Sequence, residues 1–541
     1  MVIHLWLACA TPPEGPPATT GTPTPPEAVV AMDPARVAIR ASLDLRGVRP
    51  SIEEFDRVAA DPAAVDELVE EWLHDPRFGS RMADLWSEVY LTRSEAAYYV
   101  GPDDYGLYDV SGADFLRSVG DQPLRMLARI ADEDRPWTEL VTADWTLADP
   151  LLGQIWPLER EEGDGWTEAR WTDARPDAGV LSSNTLWWRY TSTDSNANRK
   201  RANQISRIFL CEDYLVRPIE FDRALDLLDE EAVLTALQTN PACLNCHASL
   251  DPLAGYLYGF WYYDYYSVAD LTEYHPEREL QWGDQTGVPP GYFGSPGFTL
   301  KDLGRQLAAD NRFAECAVEQ ATHLLLGRDL VLDDTGRLVQ HREAFIQGGA
   351  TLRALVRSVI ASPEYRAGDV DDAVSVPWKL ASADLLASQI EDLTGFRWTT
   401  DGYDLLQSAD VGFRTLAGGA DGYYATKGAT LPNATLVLTH ERLAEAAAAY
   451  VAATDLALDP TERRLLVDVD AAETSGSAPS SVRQLQTLHL RLFGKRVAET
   501  DPEVVELAAL YDDVFAIQQD PTSAWAAVVS ALLRDPDLLL Y

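Results

Sequence analysis

The sequence predicts a mainly α, multi-helical protein with degenerate helical repeats and only minor loops and short strands. Two observations predict it. First, apolar residues recur at three- and four-residue spacing in three separate stretches: Val65, Leu68, Val69, Trp72 and Leu73; Leu352, Leu355, Val356, Val359 and Ile360; Trp525, Val528, Val529, Leu532 and Leu533. That spacing gathers them on one face of a helix. Each stretch runs out at Asp75-Pro76, Ser362-Pro363 or Asp535-Pro536, where the residue before proline is pushed out of helical backbone. Second, each stretch follows a similar lead segment: Leu43 to Val48, Leu324 to Leu330 and Leu490 to Val497, each containing a glycine. The three copies read as a helix end, a glycine C-cap and then two helices. Their spacing grows from copy to copy, so they do not form a regular solenoid. The repeat is structural and carries no chemistry.

In chain order, the front ends a short apolar run at Leu7-Ala8-Cys9. This resembles the lipobox of bacterial lipoproteins, in which the cysteine thiol is diacylated and becomes the mature N-terminus. The run is short and lacks a preceding basic residue, so an ordinary cleaved signal or a frayed terminus stays open. Residues 10–28 hold many Pro, Thr and Gly and no long apolar side chain, the composition of a disordered tether. The expected organisation is a lipoprotein signal remnant and linker over 1–28, then an N-terminal helical domain over 29–139. A central region covers 140–300, a helical repeat unit 301–370 and a C-terminal helical domain 371–541. Within the central region, residues 140–200 are rich in Trp, Asp, Thr and Gly and predict loops and short strands. A basic amphipathic helix resumes over 196–215, with Arg199, Lys200 and Arg201 followed by Ile205, Ile208 and Phe209. An aromatic, Gly-rich stretch over 396–432 precedes an Ala-rich helix over 440–453.

The chemistry lies in the five cysteines. Cys243 and Cys246 stand in Asn240-Pro241-Ala242-Cys243-Leu244-Asn245-Cys246-His247, the C-x-x-C-H pattern of c-type haem attachment. Two thiols one turn apart can each form a thioether with a haem vinyl group, and the histidine that follows supplies an axial iron ligand. Other readings of C-x-x-C are half of a structural zinc site, a thioredoxin-like redox pair and a plain disulfide. Zinc would need two further ligands, and no second C-x-x-C and no H-x-x-x-H exists. Cys211 and Cys316 could pair in an oxidising compartment or stand as two buried thiols. Pro252 marks a place where a regular helix interior should stop, and a proline carbonyl near it could accept the Nδ1 proton of His247. The run from Tyr256 to Tyr266 offers flat rings for a haem pocket, with Tyr256, Phe260 and Trp261 as the expected neighbours beside a mixture of core residues. The helix carrying Arg199 could cover the haem propionates or be a solvated face.

None of the four methionines follows Cys246, so the usual downstream sixth ligand is missing. Met82 or Met126 folding back, His275, His323 or an open position are the alternatives. Methionine would raise the potential, a second histidine would lower it, and an open iron would bind small molecules.

With 86 acidic against 44 basic residues, the formal charge is -42. Such a surface repels phosphate backbones, so no nucleic-acid partner is expected. It also repels anionic membranes, which leaves a lipid anchor as the expected membrane contact. No stretch after the front reaches the roughly 18–20 apolar residues that span a bilayer. No catalytic constellation stands out, so the chain fits an electron carrier or a binding protein better than a hydrolase.

From about residue 112 to 366 the chain resembles the large exported cytochrome-c-like proteins of planctomycetes and myxobacteria, mostly of uncharacterised function. The resemblance rests on Thr142 to Leu147, Ala178 to Leu181, Arg201 to Cys211, Asn240 to Pro252, and Phe313 to Arg328. Residues 37–92 resemble the helical domain at the front of related planctomycete proteins. The resemblance implies a monohaem domain in a larger helical assembly and carries over Cys243, Cys246 and His247, with nothing catalytic. The expected function is an exported c-type cytochrome with one haem c, passing electrons to a redox partner protein. It would reside in the periplasm or as an outer-membrane or cell-surface lipoprotein of a Gram-negative-type bacterium. A surface-anchored binding or scaffolding protein with structural haem, or with structural zinc at the same segment, is the alternative.

Overall fold

A computed structural model describes residues 31–98, 100–217, 228–264, 266–368 and 378–541. The protein is mainly α, with 22 α-helices and only short strands among these residues. Cys9, the lipidation candidate, lies outside the described residues.

The three-copy pattern is built as helix, glycine and two helices. In the first copy, helix α1 (Pro34–Arg46) is followed by α2 (Ile52–Ala60) and α3 (Ala64–Trp72). Asp33 caps α1, with Pro34 at its first position, and Ser51 and Glu54 form a reciprocal capping box on α2; both devices satisfy orphan backbone donors. Helix α4 (Phe78–Tyr90) then packs along the long α5 (Gly112–Asp132). After α6 (Arg199–Leu210), α7 (Glu230–Thr239), α8 (Pro241–Gly255) and α9 (Leu300–Ala309) comes the second copy. It comprises α10 (Asn311–Leu326), α11 (Thr335–Gln347) and α12 (Leu352–Ile360). Helices α13 (Ala383–Thr394) and α14 (Ala434–Leu456) lead to the third. It comprises α15 (Pro479–Phe493), α16 (Pro502–Gln518) and α17 (Pro521–Leu533). The lead helices end at Gly47, Gly327 and Gly494 with φ of 72°, 69° and 66°, a left-handed turn that glycine adopts without a Cβ clash. Every apolar position of the three predicted stretches is buried.

One hydrophobic core draws on residues from Met32 to Tyr365, so the first two repeat copies and the central region share it. A second core runs from Ala383 to Leu539, built on α13, α14 and the third copy. Between them Ile39, Leu43, Phe55, Ala381, Leu385 and Tyr541 form a small cluster. The central region carries a three-stranded antiparallel sheet, β1 (Thr146–Ala148), β2 (Leu158–Arg160) and β3 (Thr167–Trp171), in the order β1-β3-β2. Leu152, Ile155, Trp156 and Trp188 pack with it in a satellite core. Among the described residues no helix is long and apolar enough to cross a membrane.

One expectation is corrected. Pro252 does not stop its helix: α8 continues to Gly255 with Pro252 inside it. A proline removes one helical hydrogen bond, and here only three residues follow. Leu253, Ala254 and Gly255 are buried in the core, and that packing holds the last turn in place.

Candidate functional site

The C-x-x-C-H segment opens α8. Asn240 caps the helix by accepting from the Ala242 amide at 2.9 Å, and Pro241 takes the first position, where its missing N–H costs nothing. Cys243, Cys246, His247, Leu250 and Ala254 then recur at helical spacing along one face. Leu250 and Ala254 are buried, Cys246 packs against the main core, and Cys243 and His247 are half-buried. Both thiols are free. A short segment braces the outer side of the helix. Arg217 donates to the Asn245 carbonyl at 2.7 Å and lies over the Tyr214 ring at 4.3 Å, while the Tyr214 and Ser249 hydroxyls meet at 2.7 Å.

The partner of His247 is not a proline carbonyl. Its Nδ1 donates to Asp251 Oδ1 at 2.9 Å, one turn further along α8. Asp251 also receives Arg199 through Nε on Oδ1 at 2.7 Å and Nη2 on Oδ2 at 3.1 Å. Burial works against the charge of Asp251. The hydrogen bonds from His247 and Arg199 outweigh it and hold the carboxyl below the usual carboxylate range. The basic helix thus turns its first arginine to this carboxylate. The sequence set Arg199 against haem propionates or solvent, not against Asp251; the four-residue spacing of His247 and Asp251 on a helix was the signal that could have paired those two.

The residues suit covalent haem. Two thiols that form no disulfide lie one turn apart, and the next residue is a histidine whose Nδ1 is held, so Nε2 is the atom that would face an iron. Among the described residues no group of three or more His, Cys, Asp and Glu side chains gathers as metal ligands.

The expected ring neighbours stand further along the chain. Because α8 is unbroken to Gly255, Tyr256 begins about 13 Å from His247 along the axis, at 1.5 Å per residue. Its hydroxyl donates to Gln306 at 2.7 Å. Phe260 packs between Trp187 and Tyr274, with centroid distances of 5.7 and 5.0 Å, and Trp261 stacks on Tyr258 at 5.5 Å. Pro252 faces Gly291 in the short strand that packs on α8.

The four sixth-ligand candidates are each engaged in different places. Met82 is fully buried in the main core. Met126 Sδ accepts from the Thr146 hydroxyl at 3.3 Å. His275 Nε2 lies 3.1 Å from the Asp270 carbonyl, and His323 Nδ1 lies 2.8 Å from that of Arg328.

Cys211 and Cys316 form a disulfide with Cα atoms 5.2 Å apart. It joins the C-cap of α6 to α10 and encloses the whole C-x-x-C-H segment in its loop.

No curated protein and no solved structure matches the chain. A family model described as PSCyt2, a protein of unknown function (DUF1549), matches residues 26–109, so the likeness it establishes covers α1 to α4 at the front of the chain and stops short of the cysteine motif.

Proposed function

We propose that the chain is an exported c-type haem protein that carries one haem on Cys243 and Cys246, with His247 as an axial ligand, and passes single electrons at the cell envelope. One observation carries the reading. Two free thiols one helical turn apart are followed at once by a histidine with a held Nδ1, while Cys211 and Cys316 are bonded to each other. A structural disulfide suits a compartment outside the reducing cytoplasm, and thioether attachment of haem belongs to the same setting. When bound, the haem would supply reversible one-electron chemistry.

The chain's own residues do the rest. Cys243 and Cys246 fix the group, α8 sets their spacing, and Asp251 orients the imidazole. Cys9 would tie the body to a membrane by lipid, and a surface of formal charge -42 favours a cationic redox partner.

The test is a pyridine haemochrome spectrum of denatured protein from a host with cytochrome c maturation. The expected result is one haem per chain that survives acid-acetone extraction and is lost in the Cys243→Ser, Cys246→Ser double variant. Haem-free protein with bound zinc would overturn the reading and make the segment a structural metal site. A reversible six-coordinate iron supports electron transfer; an iron with an open position points to small-molecule chemistry instead.

A further inference from the structure

We infer that Asp251, oriented by Arg199, is a positioning residue that sets how strongly His247 donates to the haem iron; this rests on the haem reading above. The side chain of His247 is 22% exposed, so packing alone leaves its ring some freedom. Its Nδ1 needs an acceptor, and the acceptor present is a full carboxylate whose side chain is 5% exposed. A charge-assisted bond of this kind is stronger than one to a neutral carbonyl. It fixes the tautomer that leaves Nε2 free, and it raises the basicity of the ligating nitrogen. A more basic ligand favours ferric over ferrous iron and lowers the reduction potential.

Arg199 moderates the effect. Its Nε approaches the same oxygen, Oδ1, that His247 uses, and its Nη2 takes Oδ2. The guanidinium therefore withdraws negative charge from the atom that polarises the imidazole. Arg199 is held in place by its own helix. Two residues on, the buried Arg201 donates to the carbonyls of Tyr190, Phe260 and Trp187 at 3.0, 3.0 and 3.2 Å. At the other end of α6, Cys211 is tied to Cys316.

The arrangement makes two substitutions act in opposite directions. Asp251→Asn keeps the shape and removes the charge, so the potential should rise. Arg199→Gln leaves the carboxylate unmoderated, so the potential should fall. Spectroelectrochemical titration of the haem-loaded full chain reads both. A tenfold change in the reduction equilibrium for Asp251→Asn, about 59 mV for one electron, is the expected size.

A general loosening of the fold would move both variants the same way, and that result overturns the inference, as does a haem-loaded Asp251→Asn with the wild-type potential. Should Asp251→Asn fail to load haem, Arg199→Gln decides alone: a lower potential supports the relay, and an unchanged or higher one overturns it. Wild-type protein without covalent haem would remove the haem reading itself and the relay with it.

Discussion

At the scale of single residues, burial decides the behaviour of ionisable groups that the sequence shows only as letters. His440 is the clearest case. It lies on α14 with 3% exposure, its Nε2 has no hydrogen-bond partner among the described residues, and burial pushes its pKa down to about 4. In the unfolded chain the same ring titrates near 6.5. Between these values the unfolded chain binds a proton that the folded chain refuses, so stability is present above pH 6.5 and is lost as pH falls towards 4. Linkage puts the loss at about 2 kcal/mol between pH 7.5 and 5. Guanidinium denaturation at the two pH values checks it. His440→Leu should lose about that much less than wild type over the same interval, whatever its stability at pH 7.5. Equal losses in the two proteins would show that the ring takes up its proton in the folded state.

At the scale of elements, the sequence revealed what local physics controls. The stretches closed by Asp75-Pro76, Ser362-Pro363 and Asp535-Pro536 became α3, α12 and α17, because apolar spacing and a proline stop act within a few residues. The lead-segment glycines became left-handed caps for the same reason. Pro252 went the other way, since burial of the residues after it is a tertiary effect no local rule contains. The candidate site was legible to the same extent. Cys243, Cys246 and His247 fall within five residues and announce themselves, whereas Arg199 reaches Asp251 across 52 positions of chain. The bond between Cys211 and Cys316 spans 105 positions, and its geometry could not be read from spacing. Closing so long a loop restricts the unfolded chain, and the chain-entropy model assigns about 4–5 kcal/mol to it. The Cys211→Ser, Cys316→Ser double variant should unfold at lower denaturant by that order. Wild type treated with reductant should match it, because Cys243 and Cys246 form no disulfide that the reductant could break. A variant as stable as wild type would mean that α6 and α10 are held by packing alone.

At the scale of the whole molecule, the two cores meet across a buried charge. Asp44, on α1, accepts from Lys379 Nζ at 2.5 Å, from the Tyr541 hydroxyl at 3.0 Å and from the Tyr365 hydroxyl at 2.9 Å. Asp44 is fully buried, and Lys379 and Tyr541 are 7% exposed. The backbone repeats the join, since Lys379 and Tyr541 exchange hydrogen bonds at 2.9 and 3.0 Å. Tyr541 is thereby fastened to α1, and the second core to the first. Burial drives the Lys379 ammonium down to about 8 even with Asp44 beside it, so at neutral pH the ammonium stays charged and depends on its partner.

Asp44→Asn removes the group that holds the Lys379 pKa up, so the buried amine either keeps an unpaired charge or gives up its proton, a change that costs about 3–5 kcal/mol. Adding Lys379→Met removes the orphan and should restore most of the loss, because a buried pair replaced by apolar or neutral groups is often close to neutral. The single variant should also weaken the coupling between the cores, so that its denaturation, followed by tryptophan fluorescence and by circular dichroism, separates into two transitions where wild type shows one. The double variant should bring the two probes back together. If the double variant stays as unstable as Asp44→Asn, the tyrosine hydroxyls and the terminal backbone pairing hold the cores together, and the ion pair only fills the space between them.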